Sequence, residues 1–198
     1  DMSEIFQKMN DMLKNNEVDA FVSAGSTGAI LAGGLFVVGR IKGIDRPALT
    51  GVFPNENGGS LIMDVGANAD CKPKNLDEFA MMGSIYAQNI LGRKNPKVAL
   101  VNIGSEEGKG NELYKTAFEL MKANADYNFV GNIEAREIPT SKVDVIVCDG
   151  FTGNIIIKLT EGIASRFFDM LKKVMFENIK TKFAALMLKK SLYNMKKE

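Results

Sequence analysis

Short apolar runs recur along this chain, each delivered into a glycine-rich polar turn and then into a helical pattern. Residues 18–22 enter "SAGSTGA" and a helix reaching about Lys42, while residues 48–53 and 61–65 flank "NENGG". Residues 98–103 open onto "NIGSEEGKGNE", a short run lies at 128–130, and residues 143–148 open onto "DGFTGN". Helical periodicity fills residues 76–91, 111–123 and the stretch beyond the last turn. Buried strands alternating with helices predict an α/β fold with a mostly parallel sheet covered on both faces. In such sheets ligands collect at the carboxyl ends of the strands. Four polar turns fall there: "SAGSTGA", "DVGANAD", "NIGSEEGKGNE" and "DGFTGN". A shared rim makes them one candidate site.

Each turn has a binding reading and a plainer one. In the first, Ser26 or Thr27 caps a helix, and Gly25 and Gly28 leave its first N–H groups open to an anion, or the glycines merely serve the turn. In the second, Asp64 and Asn68 hold the loop through side-chain to backbone bonds, or Asp64 orients a lysine or binds a cation. The third is not a Walker loop, because no Ser or Thr follows Gly108-Lys109. Glu106, Glu107 and Glu112 around Lys109 suit a solvated charge cluster. The flanking Gly108 and Gly110, however, suit a lysine held beside bound phosphate, with Asn102 and Gly104 before it and Asn111 starting the helix. In the fourth, Asp149, Gly150 and Gly153 surround Thr152 as the expected N-cap, and Asn154 is a neutral donor in the first turn. Four such turns on one rim point to a phosphate-bearing ligand.

Composition narrows the chemistry. Histidine is absent, which removes Ser-His and Cys-His catalysis and histidine metal sites from anything this chain does alone. Cys71 and Cys148 are too few for a disulfide framework or a zinc site and fit a reducing cytoplasm. A net charge of +1 argues against a nucleic-acid partner, but the charge is uneven. Residues 172–198 carry eight lysines against two glutamates, a net +6, leaving −5 on residues 1–171. Ile163, Phe167, Met170 and Val174 form an apolar helical stripe, and "FAALML" sits between Lys182 and Lys189. Residues 1–159 are therefore expected to form the α/β core and 160–198 a helical pair. That pair would serve as a subunit interface and an interfacial membrane contact through Ile179, Phe183, Leu186 and Met187.

The motifs "SAGSTGA", "GRIKGIDRPAL", "DVGANADCKP", "GSIYA", "NIGSEEGKGNE", "GNIEAR" and "DGFTGN" together resemble those of the bacterial phosphate acyltransferases of phospholipid synthesis, over residues 18–192. The resemblance implies a three-layer α/β/α fold like that of phosphotransacetylases and isopropylmalate dehydrogenases. It implies a homodimer on the inner face of the cytoplasmic membrane. The implied reaction joins inorganic phosphate to an acyl group on acyl carrier protein, and a downstream membrane acyltransferase would take the acyl phosphate. Neither metal nor nicotinamide is implied. Against that family, an N-terminal segment and a glycine-rich C-terminal segment fall outside this chain, and Ser26 stands where relatives commonly have Asn. On this reading Lys109 neutralises phosphate or the oxyanion and Asn154 is a second donor. Ser26 and Thr27 hold phosphate, and Glu106, Glu107 and Asp149 orient these groups. Two other readings compete: a dehydrogenase of the related fold, for which no G-x-G-x-x-G follows a strand, and a membrane-bound scaffold whose turns are only structural.

Overall fold

A computed structural model describes residues 2–23 and 26–195. The chain divides into two units, Asp1–Asn154 and Ile155–Glu198. The first is a mixed α/β unit around a five-stranded sheet of order β1-β2-β5-β3-β4. Its strands are β1 (Thr50–Phe53), β2 (Ser60–Met63), β3 (Lys97–Asn102), β4 (Asn128–Glu134) and β5 (Val145–Val147). β1 pairs antiparallel with β2, and every other pairing is parallel.

The strands form where apolar runs are buried on both sides. Leu61, Met63, Val98, Leu100, Val145 and Val147 pack on one face against helices α3 (Pro73–Asn89) and α4 (Glu112–Ala123). Period-two alternation turns Ile62, Ala99 and Ile146 to the other face, where they too are buried. Each buried Val, Leu, Ile or Met side chain here contributes about 1.5–3 kcal/mol. A Cβ on Gly83 of α3 would lie 2.5 Å from Val145 Cγ1, so glycine lets the helix settle onto β5. The β1–β2 turn is organised by Asn55, whose Oδ1 accepts from the N–H groups of Asn57 and Gly59.

Three local expectations differ from the structure. Residues 18–22 join no strand, and Val22 is 89% exposed. Apolar side chains alone do not make a strand without a neighbour to receive its backbone hydrogen bonds. The helix after the first turn is short: α2 (Thr27–Gly33) widens into a π-helical segment, Gly34–Val38. Gly39 ends it at φ 98°, donating its N–H to Gly34 O. β4 continues to Glu134, beyond the three residues its apolar character marks. Helix α1 (Met2–Lys14) packs on α2, where Asn10 fills the space that a side chain at Gly33 would need.

The second unit holds most of α5 (Gly150–Met175) and all of α6 (Ile179–Met195). Asn178 caps α6, its Oδ1 accepting from the N–H groups of Lys180 and Thr181. Ile163, Phe167, Val174, Ile179, Phe183, Leu186 and Met187 are all exposed. Among the described residues no helix is long and apolar enough to cross a membrane.

Candidate functional site

Parallel pairing places the ends of β2, β5 and β3 side by side. A hydrogen bond joins the turns after β2 and β5, and Tyr114 of α4, the helix that follows the β3 turn, bonds to Asp149. After β2, the fully buried Asp64 is the organising group. Its Oδ1 accepts from Leu49 N at 3.0 Å, Gly66 N at 3.2 Å and Ala67 N at 3.0 Å. Its Oδ2 accepts from Asn68 N at 2.6 Å and Asn68 Nδ2 at 2.9 Å. Asn68 also donates to Pro47 O at 2.8 Å. Geometry thus favours loop-holding for Asp64 and Asn68 over lysine orientation or cation binding. The β5 turn locks on through Gly150, which donates its N–H to Asn68 O at 2.7 Å. A Cβ at Gly153 would come within 1.9 Å of Asp64 O, so only glycine permits this approach.

Asp149, not Thr152, caps α5. Its Oδ1 accepts from Thr152 N at 2.8 Å, while the Thr152 hydroxyl donates to Asp149 Oδ2 at 3.0 Å. The aspartate wins because its carboxylate reaches the third N–H of the helix and can take other donors as well. One of these is Tyr114 of α4, which donates to Asp149 Oδ2 at 2.6 Å. Burial, reinforced by that carboxylate, raises the phenol's pKa and keeps it a neutral donor. Sequence reasoning missed Tyr114, since an aromatic on the apolar stripe of α4 reads only as core. Asn154 is exposed on the first turn of α5, with Nδ2 3.4 Å from Val65 O and beside Gly66.

The third turn is tied at its neck. Asn102 Nδ2 donates to Lys109 O at 3.0 Å and to Asn132 Oδ1 at 3.2 Å, while its Oδ1 accepts from Ile103 N. Asn132 in turn donates to Glu106 O at 2.8 Å. Gly110, at φ 97°, passes so close to Asn102 that a Cβ would lie 2.7 Å from its Oδ1. Gly104 lies under the Glu106 and Lys109 side chains, and Gly108 faces open space. Asn111 caps α4 by accepting from Tyr114 N at 3.1 Å. The Lys109 side chain is 49% exposed, its ammonium 3.8 Å from Glu106 Oε1. Glu107 does not orient it: that carboxylate pairs with Lys122 at 2.8 Å, since Lys122 reaches back along α4 to meet it. Asp149 acts on Tyr114 and Thr152 rather than on Lys109 or Asn154.

Ser26 occupies the cap position of α2, but its hydroxyl makes no capping bond. Among the described residues no hydrogen bond joins Ser26, Thr27 or Gly28 to the other three turns. Gly25 lies outside the described residues. Nor do three His, Cys, Asp or Glu side chains gather as a metal site would require, among the described residues.

Cys71 adjoins the second turn, its thiol 3.5 Å from Asn68 O. Burial pushes its pKa up to about 11, and the carboxylates of Asp149 and Asp64 add to the shift. It is therefore a protonated thiol at neutral pH and a poor nucleophile. Cys71→Ser is expected to leave turnover within about twofold of wild type, and iodoacetamide at pH 7 to label Cys71 slowly, as mass spectrometry would read. A hundredfold loss of turnover would give the thiol a chemical role.

Residues 3–198 match the family described as fatty acid synthesis protein. The chain is 58% identical over 187 residues to the phosphate acyltransferase of Alkaliphilus oremlandii, covering 94% of this chain and 56% of the relative. It is 54% identical over 196 residues to the phosphate acyltransferase of Clostridium novyi, covering 99% of this chain and 58% of that one. The chain thus spans just over half the length of these relatives. Among solved structures, a phosphotransacetylase from Streptococcus pyogenes superposes with a TM-score of 0.65 at 20% identity, over 81% of this chain and 55% of that one. EutD phosphotransacetylase from Staphylococcus aureus gives 0.63 at 18% identity, over 81% and 56%. At these identities the structural likeness concerns the fold.

Proposed function

The chain belongs to the fatty acid synthesis protein family, and from that premise we propose that its site serves phosphate acyl transfer. An oxygen of inorganic phosphate attacks the thioester carbonyl of an acyl group carried on acyl carrier protein. The new C–O bond forms, the tetrahedral intermediate collapses, and the C–S bond breaks to give acyl phosphate and the carrier thiolate, which takes a proton from water. A thiol of pKa near ~8.5 leaves without strong acid help, so a chain lacking histidine suits this step. The observation that carries the reading is Lys109: an ammonium only loosely held by Glu106, on a glycine-rich turn at the carboxyl edge of the sheet.

In this reading Lys109 neutralises the phosphate or the oxyanion, and the Asn154 amide is a second donor. Ser26, Thr27 and Gly28, with Gly25, receive phosphate at the start of α2. Asp64, Asn68, Asn102, Asn111 and Asp149 act by holding the loops, with Gly104, Gly108, Gly110, Gly150 and Gly153 giving the backbone room. Residues 1–159 are the catalytic part, and 160–198 serve a second copy of the chain and the inner membrane surface. Support for that role comes from exposed Ile179, Phe183, Leu186 and Met187 on a helix that also carries Lys180, Lys182, Lys189 and Lys190. Each lysine near an anionic leaflet contributes ~1 kcal/mol. A membrane acyltransferase that consumes the acyl phosphate completes the list of partners.

The test is release of free thiol from acyl carrier protein when phosphate is added to the full-length protein. Phosphate-dependent release with stoichiometric acyl phosphate supports the reading, and no release above background rejects it.

A further inference from the structure

We propose that the first unit holds a binding site for a single-chain amphiphile with an anionic head, which Arg40 and Arg46 receive while the chain enters an apolar cavity beside them. The apolar cavity, about 410 Å³, is lined by Phe21, Ile30, Leu35, Val38, Ile44 and Met82 among others. A second cavity of about 470 Å³ is lined by both arginines and by Asn68. The two share Leu35, Arg40 and Pro47 as common wall. Both volumes fall in the range of small-molecule sites, which are mostly apolar with a few placed polar groups.

The arginines are prepared for an anion. Arg40 Nη1 donates to Asp45 O at 2.9 Å, and Arg46 Nη1 donates to Asp70 O at 2.8 Å. Each guanidinium is thus steadied by a carbonyl while its other N–H groups stay available. Among the described residues neither comes within ion-pair distance of a carboxylate, although Arg40 still attracts the Asp45 carboxylate electrostatically. Asp45, which also lines the second cavity, is engaged by the Lys74 ammonium at 3.0 Å. Two guanidiniums at the mouth of an apolar hollow match a phosphoryl or carboxylate head on an alkyl chain. The inference rests on the acyl-transfer reading for its ligand, because acyl phosphate is such an amphiphile. The location fits: Asn68 belongs to the loop that accepts the Gly150 N–H and lies against Asn154.

Calorimetric titration of the full-length protein with octyl-, decyl- and dodecylphosphonate tests the site. Affinity is expected to rise about fourfold per methylene until the cavity is filled. Arg40→Gln and Arg46→Gln should each weaken binding by about tenfold or more, and Leu35→Trp should abolish the chain-length dependence. The two arginine changes affect exposed side chains, so they keep the test independent of whether Leu35→Trp folds. Decanoate binding tenfold weaker than decylphosphonate identifies acyl phosphate as the source of the head, and equal binding identifies a fatty carboxylate; both uphold the site. Affinity that ignores chain length, or that both arginine variants leave unchanged, overturns it. Intact phosphate-dependent thiol release with no chain-length dependence sinks this inference alone. Chain-length-dependent binding without any thiol release sinks the acyl-transfer reading and leaves the site.

Discussion

Lys109→Ala in the full-length protein is expected to lower the turnover of phosphate-dependent thiol release by ~10²-fold or more, the scale of one lost oxyanion donor. The fold should scarcely register the change. The ammonium is half exposed and its one ion pair, with Glu106, is long at 3.8 Å, so its contribution to stability is about 0–1 kcal/mol. The turn is held instead by Asn102 and Asn132, through the carbonyls of Lys109 and Glu106. Losing the side chain leaves that scaffold in place and removes only the charge. Steady-state rates beside a thermal melt separate the two effects. Asn154→Ala should behave alike, since its amide makes one long contact, to Val65 O at 3.4 Å. Near-normal turnover in either variant removes that residue from the chemistry.

The second large effect concerns stability. Asp64→Ala is expected to cost about 4 kcal/mol or more in chemical denaturation, a large part of the 5–15 kcal/mol that holds a typical domain together. Its carboxylate accepts four backbone N–H groups and the Asn68 amide, at a position with no exposure to solvent. Alanine leaves those donors with no acceptor and a hole between them. Asp64→Asn should lose less, because one carbonyl oxygen survives while its NH₂ faces donors where an acceptor stood. A change below 1 kcal/mol for alanine would mean that other groups hold the loop.

Much of the architecture is legible in the apolar runs. Residues 61–65, 98–103 and 143–148 overlap β2, β3 and β5 because a strand buried on both faces must be largely apolar, and little else of that length is. The failure at residues 18–22 comes from the same rule, since pairing depends on a neighbour that local composition does not report. At the rim, residue type was readable but the role was not. Asp149 and Thr152 are both good caps, and only the position of the helix start decides between them. Glu107 and Glu106 look equivalent beside Lys109, yet Lys122 on α4 draws one of them off. Tyr114 left no signal, because its ring belongs to the core and only its hydroxyl reaches Asp149.

The sheet order also sets a timetable for assembly. β2 and β3 do not pair with each other; β5, which follows both in the chain, is the seam between them, matching Ile62 and Ala99 to opposite sides of Ile146. During synthesis the β1–β2 hairpin and the β3–β4 pair exist as separate halves until residue 147 has left the ribosome. Until then both halves expose edges that invite mispairing. A nascent chain stalled before the seam therefore presents two sticky fragments and no rim, and its fate rests with chaperones and proteases.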